Sequence, residues 1–526
     1  MEHREADAMK GDLEGFTARA REIAKALRSM HSVTVITHID ADGITAGAIA
    51  GQALQRAHIP HEVLFFKKLD DAAIARIDSL TSEGVWLTDL GSGYLSKIGH
   101  PGLVVADHHS PDCCSNVGSK KKRDLFDFHD NSRLHLNPHL FGFDGSREAS
   151  GAGTAYWIAR QMSSDNIMLA PLAIVGAVGD LQDNAQLKLV GINSLIRDEA
   201  EDAGLLRTEY DLRLFGRETR PLTKFFQYAS DPALPGLSND WYACRQFLDR
   251  TGVRLKDHSG RERSWAGLSV DEKEEIKVAL DLCMDRQGQK GVLRRIYGEV
   301  YVLPGQKQGT ELHESKEMST LLNSCGRYGN ERLGLEVCVD VVEPSSREGE
   351  RDERRQRNIE EALEQLRNHR SNLIGAMNFF FAHERGKICD RRKSIQVLRA
   401  NGGYLLPEKV KGINAEGAEE EREVFRDTTI GIVAGMVLGS GNVPDDVPIL
   451  ALMRSEGDVK ASARGNQRMV DRGLDLSRAM REAAEGVGGT GGGHNVAAGA
   501  TIPEPRVHDF IDALDDIVSH QMRPST

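Results

Sequence analysis

The sequence predicts an α/β protein: a parallel-sheet domain in its first two hundred residues and a smaller α/β domain toward the C-terminal end, with helical segments connecting and interrupting them. Short, near-continuous apolar runs of strand length alternate with helical stretches, the pattern of a parallel sheet covered on both faces. Each run in the first part leads into polar residues that can hold a cation: His38-Ile39-Asp40-Ala41-Asp42-Gly43, Asp89-Leu90-Gly91-Ser92, Asp107-His108-His109 and Gly179-Asp180. Strand-like runs return late in the chain at Ile449 to Met453 and Val496 to Ala500, the second introduced by a glycine cluster.

A length of 526 residues exceeds one ordinary core and implies two or three domains. The formal charge of -12 argues against holding nucleic acid by bulk charge, while leaving room for a local basic channel. Seven cysteines without a CxxC pair exclude a disulfide framework and a zinc ribbon, and fit a reducing cytoplasm. Met1 to Gly15 lacks the apolar core of a signal peptide, and no apolar stretch spans a bilayer, so a soluble cytoplasmic protein with no membrane partner is expected.

In chain order, Glu14 to Met30 reads as an amphipathic helix leading into the strand Val33 to Ile36. On an extended backbone, His38, Asp40 and Asp42 project to one face, and such a cluster is costly unless a cation neutralises it. A small-residue helix, Ile44 to Ala57, follows. Gly84 to Thr88 and Gly102 to Ala106 read as strands, and Pro171 to Val178 as a buried helix. Open parallel sheets build sites outside the carboxyl ends of their strands, where these acids and imidazoles lie. A lone Asp after a strand is ordinarily a turn former or helix cap. Caps need no imidazoles, however, and have no reason to recur at equivalent ends of successive strands.

Carboxylates and imidazoles without thiolates suit Mn²⁺ or Mg²⁺, with imidazole favouring Mn²⁺. Six candidate ligands, His38, Asp40, Asp42, Asp89, His108 and Asp180, exceed what one catalytic ion needs. Two ions about 3.5 to 4 Å apart form the arrangement that performs in-line phosphoryl displacement.

The spacings HxDxDG at His38 to Gly43, DLGS at Asp89 to Ser92, DHH at Asp107 to His109 and GDLQD at Gly179 to Asp183 resemble the four motifs of the DHH phosphoesterase superfamily. Asn137-Pro138 through Gly142, Gly145 to Glu148 and Ser150 to Tyr156 resemble the archaeal RecJ-like single-strand exonucleases, or GINS-associated nucleases. The resemblance implies that His38 and Asp40 hold one metal ion, Asp42, His108 and Asp180 a second, and that Asp89 bridges them. It further implies that His109 contacts the scissile phosphate and Asp107 orients the neighbouring imidazoles. The motif-one histidine stands two residues before the first aspartate, whereas many small-substrate DHH enzymes place it four before.

Residues 201 to 295 read as a mostly helical connector or insertion, with Leu222 to Tyr228 and Lys273 to Leu282 its clearest helices. The run Lys120 to Arg123 could grip a nucleic-acid backbone, although such runs are usually solvated loops. His129, His135 and His139 read as structural, since Pro138 interrupts any helix that would align them. In a helix over 351 to 381, Ile359, Leu363, Leu366, Leu373, Met377 and Phe380 have the spacing of a coiled-coil seam, which serves equally for packing on its own domain.

Three later elements look chemical: Leu321 to Arg327, Val459 to Gly465, and Gly488 to Asn495 between a helix (Leu476 to Ala484) and an apolar strand. Gly488 to Asn495 reads as a loop, and its dense glycines permit close backbone approach to a phosphate oxygen. Ser462 to Arg464 and Gly491 to Gly499 resemble the SxR and GGGHxxAAG elements of the DHHA1 domain, and Phe425 to Met436 resembles its archaeal RecJ-like version. The resemblance implies substrate contacts from Ser462, Arg464, Gly491, Gly492, Gly493 and His494, joined by Arg327, in a DHHA1 substrate-binding domain over 296 to 526 with a helical insertion at about 345 to 420.

The expected function is a two-metal exonuclease, using Mn²⁺ or Mg²⁺, that acts on an end of single-stranded DNA or RNA in replication or repair. The resemblance implies the archaeal GINS complex as a partner. The alternatives are a phosphodiesterase for oligonucleotides or cyclic dinucleotides, and a Cdc45-like replisome scaffold that binds GINS.

Overall fold

A computed structural model describes residues 11–111, 134–229, 232–343, 350–383, 388–413, 419–455 and 457–522. Lys120 to Arg123, His129, Cys113 and Cys114 lie outside the described residues. The chain forms two compact units, the first comprising 1–229 and 235–366, the second 230–234 and 367–526.

In the first unit, β1 (Val33–His38), β2 (His61–Phe66), β3 (Gly84–Thr88), β4 (Leu103–Ala106) and β5 (Leu134–Leu136) form a sheet in the order β2-β1-β3-β4-β5. Every adjacent pair is parallel. β3 and β4 are buried throughout, which explains why their sequences read as continuous apolar runs. The helices α1 (Leu13–Ser29), α2 (Ala41–Arg56), α3 (Asp71–Asp78), α4 (Gly151–Met162), α5 (Ala170–Gly179) and α6 (Gly191–Asp202) surround or extend it. Pro171 to Val178 is thus helical, and every residue from Ala170 to Val178 is buried because α2, α4, α6 and a later helix enclose α5.

The antiparallel pair β6 (Arg207–Leu212) and β7 (Tyr297–Val302) frames the middle segment. Between its strands lie α7 (Leu222–Gln227), α8 (Trp241–Thr251), α9 (Val270–Arg286) and α10 (Lys290–Ile296), around the stacked Phe225 and Trp265. Two further helices, α11 (Ser315–Arg327) and α12 (Glu331–Val342), return to pack on α2 and α5.

The long helix α13 (Glu350–Asn378) crosses the division at Leu366. Its expected seam divides accordingly. Ile359, Leu363 and Leu366 pack in the core of the first unit, and Leu373, Met377 and Phe380 in that of the second, so the periodicity serves intramolecular packing.

The second unit has a mixed sheet in the order β15-β16-β14-β13-β9-β8, with β10 beside β13. Its strands are β8 (Cys389–Arg391), β9 (Gln396–Leu398), β10 (Leu405–Leu406), β13 (Ile449–Ser455), β14 (Asp458–Arg464), β15 (Thr490–Gly493) and β16 (Ala497–Ile502). A separate hairpin joins β11 (Lys409–Ile413) to β12 (Glu419–Glu423). The helices α14 (Ile430–Gly439), α15 (Gln467–Asp471), α16 (Leu476–Gly486) and α17 (Val507–Gln521) complete it. The five described cysteines are all free, and no described helix is long and apolar enough to cross a membrane.

Candidate active site

The first motif straddles a strand-to-helix junction. β1 ends at His38, and Asp40 caps α2 by accepting the Gly43 N–H at 3.0 Å. Asp42 lies inside the first helical turn, so helix geometry, and not the expected strand alternation, sets its direction. The junction is tight: a Cβ on Gly43 would stand 2.3 Å from the His38 carbonyl oxygen.

Three other segments converge on this corner. Asp89 directly follows β3 at φ +60°, a conformation that costs an L-residue about 1 kcal/mol and is tolerated where the surroundings enforce it. His108 follows β4, and Asp180 ends α5. His108 Nε2 stands 3.2 Å from Asp89 Oδ1 and 3.7 Å from Asp42 Oδ2, while its Nδ1 meets the Gly145 carbonyl oxygen at 2.6 Å. His38 Nδ1 lies 3.0 Å from Asp40 Oδ2 and 3.8 Å from Asp89 Oδ2. The ligand atoms fall into close sets: His38 with Asp40 and Asp89, Asp42 with His108 and Asp180, and Asp89 with Asp107, His108 and His109.

Asp107 has a different role from its neighbours. Its oxygens accept the Ser92 N–H at 2.8 Å, the His108 N–H at 2.8 Å, the His109 N–H at 3.2 Å and His109 Nδ1 at 2.8 Å. A carboxylate so fully engaged orients the DHH run and has little left to offer an ion. Its bond to Nδ1 fixes the orientation of the half-exposed His109 ring. His135 Nε2 meets Ser92 Oγ at 2.9 Å, and Asn137 donates to Ser92 Oγ and to the His109 carbonyl, each at 2.8 Å.

The electrostatics show a surplus of buried negative charge. Burial raises Asp42, and Asp180 and Asp40 push further against a lowering by His108. Asp89 is raised well above the usual range by burial and then by the Asp42 and Asp40 charges. Burial lowers His108, yet Asp180, Asp89 and Asp42 together raise it well above its ordinary value. Asp40 is also pushed up by burial, but His38, the Gly43 amide and Arg327 hold it well below the usual carboxylate range.

The donor set suits divalent cations. It offers carboxylates and imidazoles, and among the described residues the buried Asp89 Oδ1 is approached by no donor other than His108. With Nδ1 committed to Gly145, Nε2 of His108 is the nitrogen that faces Asp89 and Asp42. The pocket leaves no slack for the acids: a Cβ on Gly151 would lie 2.5 Å from Asp89 Oδ1, and one on Gly176 2.5 Å from Asp42 Oδ1.

Several supporting residues carry no local sequence signal. The N–H groups of Gly151 and Ala152, at the start of α4, hold the two oxygens of Asp42 at 2.7 and 3.0 Å. Gln182 Nε2 binds Asp180 Oδ2 and the Gly145 carbonyl oxygen, each at 2.9 Å. The small residues after Ser150 and the GDLQD spacing were the only hints.

The expected substrate-binding residues lie in both units. Arg327 is in the first, close enough to Asp40 to lower its carboxyl. Ser462, Arg464, Gly491, Gly492, Gly493 and His494 are in the second. There, Ser462 and Gly492 flank Gly499 from opposite sides in the sheet, and the ends of β14 and β15 bring Arg464 near the glycines. Thr490 to Gly493 form an edge strand and not the expected loop, because Gly491 must lie against α16: a Cβ there would meet the Met480 carbonyl oxygen at 2.6 Å. Arg464 lies over the first turn of α14, where a Cβ on Gly431 would stand 2.2 Å from its guanidinium.

Residues 214–294 match the DHH-CID domain and residues 421–520 the DHHA1 domain. An uncharacterized protein of Methanocaldococcus jannaschii is 27% identical over 518 residues, covering 97% of this chain and 98% of its own length. The fold resembles that of RecJ from Thermus thermophilus in complex with Mn²⁺, with a TM-score of 0.52, 17% identity and 98% coverage of this chain. The chain spans 56% of the length of that RecJ. It also resembles CDC45 from Entamoeba histolytica, with a TM-score of 0.60, 10% identity and coverage of 96% of this chain and 99% of the other.

The parallel sheet, the mixed second sheet and the two domain matches define an α/β chain that carries DHH-CID and DHHA1 domains. Its fold as a whole is similar to those of RecJ and CDC45. The segment expected to be a helical connector is its DHH-CID domain.

Proposed function

We propose that the protein is a two-metal phosphodiesterase that removes nucleotides from an end of single-stranded DNA or RNA. The observation that carries this reading is the pair of ligand sets, His38, Asp40 and Asp89 beside Asp42, His108 and Asp180, around a buried carboxylate oxygen of Asp89 that only His108 approaches among the described residues. Similarity of fold to a Mn²⁺ complex of RecJ supports it.

In this reading His38 and Asp40 would hold one ion and Asp42, His108 and Asp180 the other, with Asp89 contributing beside both sets. Bound divalent ions, Mn²⁺ or Mg²⁺, would activate water and stabilise charge on the attacking and leaving oxygens of an in-line displacement. His109, oriented by Asp107, binds a non-bridging oxygen of the scissile phosphate, and Arg327 adds positive charge beside Asp40. Ser462, Arg464, the strand Gly491 to Gly493 and His494 hold the strand end. The cellular setting is DNA replication or repair.

A second reading, a Cdc45-like scaffold that binds the GINS complex, is favoured by the fold match along nearly the whole of both chains. The intact donor set favours chemistry beside any such binding. A third, hydrolysis of very short oligonucleotides or cyclic dinucleotides, differs in substrate length. Rates in Mn²⁺ on a dinucleotide and on a single strand of about thirty nucleotides separate these readings. The exonuclease reading predicts processing of the long strand. Turnover of the dinucleotide alone supports the third, and no turnover of either supports the scaffold.

A further inference from the structure

Ligands at His38, Asp40 and Asp42 alternate with Ile39 and Ala41, and both intervening residues are gripped by a helix that arrives almost three hundred positions later. Ala41 is the first residue of α2, so its N–H has no partner within the helix. The Asp40 side chain is already used on Gly43. Asn323 of α11 supplies the missing acceptor: its Oδ1 takes the Ala41 N–H at 3.0 Å. One turn further along α11, Gly326 lies so close to Ile39 that a Cβ would stand 1.6 Å from the Ile39 carbonyl oxygen. No other residue permits that approach. The same helix reaches the fourth motif, because a Cβ on Gly179, beside Asp180, would stand 3.2 Å from Ser319 Cβ.

We infer that Asn323 is a positioning residue for the metal pair, fixing the peptide unit between Asp40 and Asp42 and thereby the spacing of the two carboxylates. This rests on the reading of those acids as metal ligands. The bond is to backbone, so Asn323 acts on the ligands through the chain that carries them. Groups outside the ligand shell that orient ligands typically change metal affinity by about 10–100-fold when removed. A second helix that merely packed against α2 would contribute stability without setting affinity.

The test is Mn²⁺ titration by calorimetry, with thermal unfolding in metal-free buffer, on the full chain and its Asn323→Ala, Asn323→Asp and Thr320→Ala variants. Thr320, on the same helix, donates its hydroxyl to the Lys316 carbonyl oxygen at 2.9 Å. Asn323→Ala should weaken Mn²⁺ binding by about 10–100-fold. Asn323→Asp, which keeps an acceptor, should recover most of the affinity, and Thr320→Ala should stay within about twofold of wild type. If the alanine variant does not melt cooperatively, Asn323→Gln replaces it, since it keeps the amide but moves the oxygen by one methylene. Wild-type affinity in the Ala or Gln variant overturns the inference, as does an equal loss in Thr320→Ala. Failure of the wild type itself to bind Mn²⁺ would instead overturn the metal-site reading beneath it.

Discussion

Asp89 Oδ1 lies 3.2 Å from His108 Nε2, both side chains almost fully buried, and among the described residues no other donor is directed at that oxygen. Asp42 and Asp40 add further negative charge, which raises Asp89. Without a cation this corner is a source of instability; with one it becomes a source of stability.

Asp89→Asn separates those two effects. In metal-free buffer it should leave the melting temperature unchanged or raise it, because a crowded buried charge is removed. Wild type should gain about 2.7 kcal/mol at a Mn²⁺ concentration a hundred times its Kd, and the variant much less. Differential scanning calorimetry with and without Mn²⁺ reads both signs.

Gly176→Ala should injure the site without removing a ligand. The added methyl would stand 2.5 Å from both Asp42 Oδ1 and Thr45 Oγ1, and 2.6 Å from Ala152 Cβ. Overpacking of this kind costs about 1–3 kcal/mol. Urea unfolding should show that loss, and Mn²⁺ affinity should fall with it as Asp42 is displaced.

On α11, Glu317 gives the fold a pH dependence. It is fully buried on α11, and burial together with the Glu314 charge raises it to about 7 against hydrogen bonds from Thr219 and the Glu218 amide. Its folded pKa lies above the unfolded value of 4.5, so its contribution is fully present below about pH 4.5 and is lost as pH rises through about 7. The integrated effect is on the order of 3 kcal/mol. Glu317→Gln, whose amide can donate to Thr219 Oγ, should flatten this fall. Unfolding free energies at intervals from pH 5 to pH 8 check it, the variant gaining on wild type as pH rises.

Legibility in the sequence followed the range of the contacts. β1, β3 and β4 were visible because burial on both faces leaves apolar runs, and their last residues announced themselves by chemistry. The helical nature of Pro171 to Val178 was visible too. The way Asp42 is held was not, since Gly151 and Ala152 lie more than a hundred residues away and act through backbone amides, which leave no side-chain pattern. Gln182 and Asn323 lie within stretches that drew attention, GDLQD and Leu321 to Arg327, but their side-chain bonds to Asp180 and to the Ala41 N–H depend on tertiary structure. Arg327 read as a companion of the later glycine and arginine elements, whereas it stands beside Asp40 in the first unit. The glycines at 491 to 493 suggested a loop, and the close packing on α16 that makes them a strand depends on tertiary structure.

The most direct test of the central claim is digestion of end-labelled single-stranded DNA and RNA in Mn²⁺ by wild type, Asp42→Ala and Asp89→Ala, with a chelator control. The account predicts stepwise shortening from one end by wild type, abolished by the chelator and lowered at least about 100-fold in each variant. Full activity in either variant, or shortening that survives the chelator, would contradict it.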